Sequence, residues 1–196
     1  MTKTRGRPKA FDENAVLALA MEYFWEHGYE NSSLDNLLEV MGIKKSSFYH
    51  TFKSKEELFS RCLALYTEQN INFLNQLKEE KGAVKALLSL AQFTIEQLNE
   101  TKKVRGCLII NSGKECYNKY QELSHQINAG FNSIHQTFIS FVEEAQERGE
   151  IGSKLEAQKI AGRYMNALNG LIVTIQAGAT QELIDDLMEH LQEILS

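Results

Sequence analysis

The chain has 196 residues, of which 43% are hydrophobic and 24% charged, and its net charge is −5. This composition excludes a disordered chain, and a single proline excludes a collagen-like or proline-rich one. The longest apolar run, Ala15 to Met21, is far shorter than the ~20 residues needed to cross a bilayer. The sequence therefore predicts a cytoplasmic protein that does not partner with a membrane.

The three cysteines, Cys62, Cys107 and Cys116, cannot all pair with one another, and their spacing is not that of metal ligands. We therefore expect no disulfide framework, no metal and no cofactor. The charge is unevenly distributed, because residues 1–10 hold four basic residues and no acidic ones, whereas residues 62–196 hold twelve basic and seventeen acidic ones. A basic arm on an acidic protein is compatible with a local nucleic-acid contact, and equally with a solvated tail.

Apolar residues recur every three or four positions through most of the chain and predict helices. The first helix starts at Glu13 after the cap Asp12 and ends at Gly28, for which we expect a left-handed cap. A second helix runs from Ser33 to Met41 and a third from Lys45 to Phe52. The fourth follows Ser54 and reaches about Glu80, with Ser54 and Glu57 forming a predicted capping box.

Helices continue beyond Gly82 to the end of the chain. We expect one through Leu98, a short buried one at 105–110, a long one over 114–148, and two final ones at 154–177, with Ser153 as the candidate cap, and 180–195. The predicted fold is all-α with about nine helices. We divide it into a DNA-binding domain at 1–53 and a helical ligand-binding and dimerisation domain at 54–196.

Residues 32–59 contain a predicted helix-turn-helix motif. Gly42 suits the tight turn because it accepts a positive φ without strain. Phe48 and Phe52, four residues apart, would bury one face of the second helix, which in this motif enters the major groove. The remaining face carries side chains that can donate hydrogen bonds, namely Lys44, Lys45, Ser47, Tyr49, His50 and Thr51. A plain helical hairpin is the alternative that this pattern leaves open.

The first 65 or so residues resemble the DNA-binding domain of the TetR family of bacterial transcriptional regulators. The similarity lies in two stretches of the sequence, Phe24-x-x-x-Gly28-Tyr29-x-x-Ser32-Ser33-Leu34-x-x-Leu37 and Gly42-Ile43-x-Lys45-x-Ser47-Phe48-Tyr49-x-x-Phe52-x-Ser54-Lys55-Glu56-x-Leu58-Phe59. The resemblance implies a regulator, most simply a repressor, that binds a palindromic double-stranded DNA operator as a homodimer and is released by a small-molecule inducer. It does not imply an enzyme.

The resemblance also implies individual roles. Ser33 and Lys55 would contact phosphate, Lys45 phosphate or a base edge, Ser47 the groove, and Tyr49 a phosphate or a thymine methyl group. The family usually has a histidine at the position of Thr51, whereas this chain has its histidine one residue earlier, at His50. The resemblance therefore leaves open which of these two side chains contacts a phosphate and which contacts a base. Arg5 and Arg7 would place the basic arm in the minor groove.

In the family the last two helices form a four-helix bundle with those of a second subunit. The resemblance therefore implies that this chain has a dimer interface, formed by Leu168, Leu171, Leu183, Leu187 and Leu191. The alternative is that these leucines belong to the core of a single chain. Pocket candidates are polar and aromatic residues on otherwise apolar helices, which suit a small-molecule site. They are Phe93, Gln97, Cys107, Asn111, Phe131, His135, Phe138, Tyr164, Asn169 and Gln176. The fourth helix is the only predicted element long enough to connect such a pocket to the DNA-binding domain.

Cys107 supports an alternative function. Lys102, Lys103 and Arg105 precede it, and nearby cations lower the pKa of a thiol. Some TetR relatives sense oxidants or electrophiles through such a cysteine, and Cys116 could resolve it if the chain folds back. A metal carrier is a weaker hypothesis, because Glu122-x-x-His125 is a single pair where a di-iron site needs two. A DNA-binding activator or architectural protein without a ligand is the third.

Overall fold

The computed structural model describes residues 11–101 and 103–196, so the predicted contacts of Arg5 and Arg7 lie outside the described residues. Over the described residues the chain is all-α, as predicted. The nine helices there are α1 (Glu13–His27), α2 (Leu34–Met41), α3 (Lys45–Phe52), α4 (Lys55–Lys81), α5 (Ala83–Thr101), α6 (Leu108–Cys116), α7 (Gln121–Glu147), α8 (Ala157–Gln176) and α9 (Gln181–Ile194).

Helices α1–α3 form a small unit, here called the head, and α5–α9 form the body. The head packs around fully or almost fully buried aromatic and aliphatic side chains, Phe24, Leu37, Phe48 and Phe52. Helix α4 has 27 residues and is therefore about 40 Å long. It packs against α1 at one end and against α5 and α7 along the rest of its length, so it links head and body. Helix α8 packs between α7 and α9.

Three predictions about helix ends were wrong. Ser54 does accept a hydrogen bond from Glu57 N at 3.0 Å, but the Glu57 carboxylate accepts from Arg61 Nε instead of returning to Ser54. Gly28 has a φ of +80° with an extended ψ of 167°, so it ends α1 without the left-handed cap. Helix α8 begins at Ala157, after Glu156, and not after Ser153.

The predicted long helix over 114–148 is divided into α6 and α7. Asn118 adopts a φ of +64°, which a helix cannot accommodate, and Tyr117 to Tyr120 form a turn. The ring of Tyr120 packs edge-on against Tyr29 of the head at 5.0 Å. The break therefore places an aromatic side chain at the contact between head and body, which periodicity does not reveal.

The predicted helix at 105–110 begins only at Leu108. Residues 103–107, here called the connecting segment, are not helical. Gly106 has a φ of +73°, and a Cβ there would lie 3.1 Å from Ile172 Cγ2, so both conformation and space favour glycine.

No helix among the described residues is long and apolar enough to cross a membrane.

Gly130 in α7 allows α4, α6 and α7 to pack closely. A Cβ at Gly130 would lie 2.7 Å from Thr67 Oγ1 and 2.9 Å from Ile109 Cδ1. We expect Gly130→Ala to lower the free energy of unfolding by about 1–3 kcal/mol through overpacking, although alanine normally gains about 1 kcal/mol over glycine inside a helix. Gly113→Ala in α6 is the control, because its nearest neighbour is at 3.8 Å. Urea denaturation measures both, and equal effects would contradict the close approach.

Candidate functional site

Helix α3 presents a polar surface from a rigid support. Gly42, with φ +63° and ψ +28°, turns the chain between α2 and α3. Phe48 and Phe52 are fully buried and fix α3 in the head. The predicted DNA-contacting side chains lie on the rest of α3 and at Lys44 just before it. Lys44, Lys45, Tyr49 and His50 are exposed, and Ser47 and Thr51 are half-buried. Ser33 is exposed at the start of α2, where its hydroxyl accepts from Asn36 N at 3.2 Å.

Lys55 is directed into the protein. Its Nζ donates hydrogen bonds to Tyr29 O at 2.9 Å and to Ser32 O at 3.0 Å, and lies 4.2 Å from the centre of the Tyr29 ring. Burial lowers the pKa of Lys55, and the nearby Glu115 carboxylate opposes that effect. Two of its three N–H groups thus hold the turn between α1 and α2. Only the third N–H group of the ammonium would be available for the predicted contact with a phosphate.

A cavity of about 300 Å³ lies between α1, α4, α5, α7, α8 and the start of α6. Its walls are mostly aliphatic and aromatic, and no described residue that lines it is charged. The lining residues are Trp25, Tyr66, Asn70, Phe73, Leu74, Leu90, Phe93, Thr94, Gln97, Val104, Gly106, Cys107, Ile109, Ile110, Phe131, Ile134, Phe138, Met165, Leu168, Asn169 and Ile172.

Six of the predicted pocket residues line this cavity and four do not. Those that line it are Phe93, Gln97, Cys107, Phe131, Phe138 and Asn169. Tyr164 is buried elsewhere and donates its hydroxyl to Leu87 O. Asn111 and Gln176 hold the connecting segment through Arg105 O and Val104 O, at 2.8 and 3.0 Å. His135 Nε2 is buried without a hydrogen-bond partner among the described residues.

Sequence reasoning missed the contribution of α1 and α4 to the cavity. Tyr66, Asn70 and Phe73 come from α4, and Trp25 comes from α1 in the head. The available signal was the position of Trp25, a large aromatic side chain that does not belong to the apolar stripe by which α1 packs.

Trp25 joins the head to the connecting segment. Its Nε1–H donates to Gly106 O at 3.0 Å, and the Arg105 guanidinium carbon lies 4.0 Å from the centre of its ring. Arg105 also forms an ion pair with Glu22 of α1, and its backbone N–H donates to Gln97 Oε1 at 3.2 Å. The connecting segment therefore links the cavity wall to α1 and to α5.

Helix α6 provides a second link between cavity and head, so the prediction that α4 alone connects them was wrong. Ile109 and Ile110 at its start line the cavity. Near its end, the Glu115 carboxylate accepts hydrogen bonds from the backbone N–H groups of Tyr29, at 2.9 Å, and Glu30. A carboxylate of the body thus holds the α1–α2 turn from one side while Lys55 holds it from the other.

Cys107 faces the cavity, but its thiol is not activated in the predicted way. Burial raises the pKa of Cys107, and the Ile109 and Ile110 N–H groups and the Tyr66 hydroxyl oppose this only in part. The guanidinium of Arg105 is engaged by Glu22, and Lys102 lies outside the described residues. Cys116 is at the other end of α6, about 13 Å away, whereas a disulfide requires Cα atoms within about 7 Å. Cys116 therefore cannot resolve Cys107 while α6 is intact.

The outer surface of α8 and α9 is partly apolar. Leu183 is 43% exposed and Leu187 is half-buried. A Cβ at Gly170 would meet no atom of this chain within 4 Å, so nothing in the chain itself accounts for that glycine. Leu168, Leu171 and Leu191, which were predicted at an interface, are instead buried within the chain, Leu168 in the cavity wall.

The described part of the chain contains no group of three or more histidine, cysteine, aspartate or glutamate residues placed to hold a metal ion. The Glu122-x-x-His125 pair therefore has no completing ligands among those residues. The α3 surface and the cavity are the features of the described structure from which DNA binding and small-molecule binding are argued.

The position of Lys55 leads to a test that separates support from DNA contact. We expect Lys55→Met to lower the free energy of unfolding by about 1–3 kcal/mol, because Tyr29 O and Ser32 O lose a charged donor. Lys45→Met, on the exposed face of α3, should leave stability unchanged and weaken DNA binding. Thermal denaturation and binding titrations at two salt concentrations measure the two effects. Equal stability of both variants would show that the inward hydrogen bonds of Lys55 contribute little.

Comparison with known proteins places this geometry in a family. Residues 16–62 match the model for "Bacterial regulatory proteins, tetR family", and residues 83–191 match "Tetracyclin repressor-like, C-terminal domain". The HTH-type transcriptional regulator YezE of Bacillus subtilis is 31% identical over 192 residues, covering 97% of this chain and 98% of its own. The HTH-type transcriptional repressor ComR of Escherichia coli is 29% identical and covers 92% and 87%.

Solved structures agree with this assignment. A cysteine mutant of the TetR family regulator CifR, complexed with a 26 bp operator DNA, is 26% identical, with a TM-score of 0.78 and coverage of 97% of this chain and 98% of that one. Reduced NemR of E. coli has the same fold, with a TM-score of 0.83 at 19% identity and coverage of 93% and 96%. The chain belongs to the TetR family of bacterial transcriptional regulators.

Proposed function

We propose that this protein is a repressor that binds a palindromic operator as a homodimer and releases it when a small molecule enters the cavity. The observation that carries the proposal is the shared use of α1, α4 and α6 by the head and by the cavity wall. A change in the cavity can therefore reach the head through helices that pack against each other. ComR and NemR are named as repressors and the CifR mutant is complexed with operator DNA, which supports a repressor function for this chain.

The DNA contact would be made by the exposed residues of α3. Lys44 and Lys45 supply charge for phosphates, while Tyr49 and His50 are exposed side chains on the same helix. Helix-turn-helix dimers read half-sites that lie one helical turn, roughly 34–36 Å, or a small multiple of it apart. A ligand that favours a different spacing of the two heads would therefore lower operator affinity without touching α3.

Selection of binding sites from random DNA with the purified protein tests the operator. We expect an inverted repeat, and we expect His50→Ala to change the preferred bases while Lys45→Met weakens all sites alike and reduces the salt slope by about one. Recovery of no preferred sequence would overturn the repressor proposal. A change of preference in Lys45→Met together with none in His50→Ala would reverse the roles of the two residues.

The dimer would use the outer face of α8 and α9. Leu183 and Leu187 offer apolar area, and Gly170 would let a partner helix approach closely. Because Leu168, Leu171 and Leu191 already pack within the chain, we restrict the proposed contacts to the accessible residues. A two-fold symmetric interface would use this same surface on both subunits.

Leu187→Arg should convert the dimer to a monomer, because it places an unpaired charge in an apolar contact at a cost of several kcal/mol. Operator affinity should fall with it. Leu155→Arg is the matched control, since Leu155 is 39% exposed in the turn before α8 and lies outside the proposed interface. Sedimentation measures the mass and circular dichroism verifies folding. A dimeric Leu187→Arg protein would place the interface elsewhere.

The same geometry favours reversible ligand binding over thiol sensing. A thiol must be deprotonated to react quickly, and burial raises the pKa of Cys107. In the cavity wall its thiol lies beside the Tyr66 hydroxyl. We therefore keep Cys107 as a ligand contact in the proposal and assign no redox chemistry to it.

A further inference from the structure

One wall of the cavity belongs to the head. Trp25 lies in α1, yet its side chain lines the cavity together with residues of the body. Its ring is edge-on to Tyr66 with 5.0 Å between ring centres, and Tyr66 lines the same cavity. A molecule bound there would therefore have the indole within its reach.

The polar groups of the cavity suit an uncharged ligand. The Asn70 and Asn169 side-chain amides donate to Tyr66 O at 3.1 Å and to Met165 O at 2.8 Å, which leaves their carboxamide oxygens as acceptors. Gln97 Oε1 accepts from Arg105 N, which leaves Gln97 Nε2 as a donor. A charged ligand would lose its hydration and find no opposite charge on the described lining residues, whereas a single hydroxyl or carbonyl group would be satisfied.

The size and entrance of the cavity further restrict the class of ligand that fits it. A volume of about 300 Å³ holds on the order of ten to fifteen non-hydrogen atoms. Phe73, Phe93 and Phe131 line it and are 42%, 37% and 37% exposed, so the opening is aromatic. Rings pass and stack well against such side chains.

We propose that the inducer is an uncharged, mainly apolar ring compound with one hydroxyl or carbonyl group, and that it binds directly against Trp25. The ligand then contacts the DNA-binding head itself. The effect on DNA rests on the repressor function proposed above; the binding site and its chemistry do not.

Contact with Trp25 gives the ligand a mechanical route to α1. The indole is fixed by its hydrogen bond to Gly106 O and by the Arg105 guanidinium, which is itself paired with Glu22 of the same helix. A ligand that displaces the ring must either break the bond to Gly106 or move α1 relative to the connecting segment. Both changes alter the position of the head on the body.

The binding test uses the fluorescence of Trp25, which is the only tryptophan in the sequence. Three probes share one phenylalkyl skeleton and differ in charge: benzylacetone is neutral, hydrocinnamate is an anion and phenylpropylammonium is a cation. We expect benzylacetone to change the Trp25 emission saturably and both ions to bind at least about tenfold more weakly. Asn169→Phe, which fills the cavity, should abolish the change, and Leu155→Phe, in an exposed turn, should not.

Several results would overturn this part of the inference. Equal or tighter binding of either ion would refute the uncharged class. Binding of benzylacetone detected by calorimetry without an emission change would refute the contact with Trp25, and no binding at all would refute the site. If Asn169→Phe fails to fold, the comparison of the three probes on the wild-type protein still decides between these results. None of these titrations contains DNA, so they stand whether or not the protein proves to be a ligand-responsive repressor.

The coupling test compares Trp25→Phe with Tyr23→Phe, a second aromatic residue of α1 that does not line the cavity. Calorimetry should show that Trp25→Phe still binds benzylacetone. We expect benzylacetone to lower the operator affinity of the wild type and of Tyr23→Phe by the same factor, and to leave that of Trp25→Phe nearly unchanged. Transmission through the indole would be overturned if benzylacetone lowered the operator affinity of Trp25→Phe as much as that of the wild type. It would also be overturned if saturating benzylacetone left the operator affinity of the wild type unchanged. The operator selection described above tests the repressor function independently.

Discussion

The hydrogen bond from Trp25 Nε1 to Gly106 O joins the head directly to the wall of the cavity. It requires the connecting segment to present a carbonyl group towards α1, and this in turn requires the positive φ of Gly106. The absence of a side chain at Gly106 also lets Ile172 of α8 pack against the segment. A single backbone position thereby brings α1, α8 and the cavity wall together.

The α1–α2 turn is held between opposite charges. Glu115 accepts the turn's N–H groups and Lys55 donates to its carbonyl groups, so the two side chains satisfy the backbone from both sides. One of them lies on α6 and the other on α4, and both helices also line the cavity. The orientation of the head is therefore set by the same two helices that a ligand would contact.

Much of the fold could be predicted from the sequence because most of the helices carry their own signals. Asp12 and Ser54 cap helices as expected, Gly42 makes the turn of the motif, and Phe48 and Phe52 are buried. These features depend on residues within one or two turns of each other. Local periodicity and capping chemistry are sufficient to reveal them.

The parts that could not be predicted depend on contacts between residues distant in the sequence. Nothing near Lys55 indicates that its ammonium turns inward, because its partners are 26 and 23 residues away. Asn111 and Gln176 looked like ligand contacts because they are polar on apolar helices, yet they hold the connecting segment. The break at Asn118 was hidden because the apolar spacing continues across it.

The strengths of these contacts limit how the head can respond to a ligand. A tenfold to hundredfold loss of operator affinity corresponds to about 1.4–2.7 kcal/mol of coupling free energy. A neutral hydrogen bond such as that of Trp25 to Gly106 contributes about 0.5–1.5 kcal/mol, and one to a charged group about 1.5–3 kcal/mol. Loss of the Trp25 bond alone therefore reaches at most the lower limit of the required range. The solvent-exposed ion pair of Arg105 with Glu22 adds at most about 1 kcal/mol, so larger coupling requires that the movement reach the contacts of Glu115 with the α1–α2 turn. Because Glu115 shares α6 with Ile109 and Ile110, which line the cavity, a shift of α6 caused by a ligand would be passed to the α1–α2 turn.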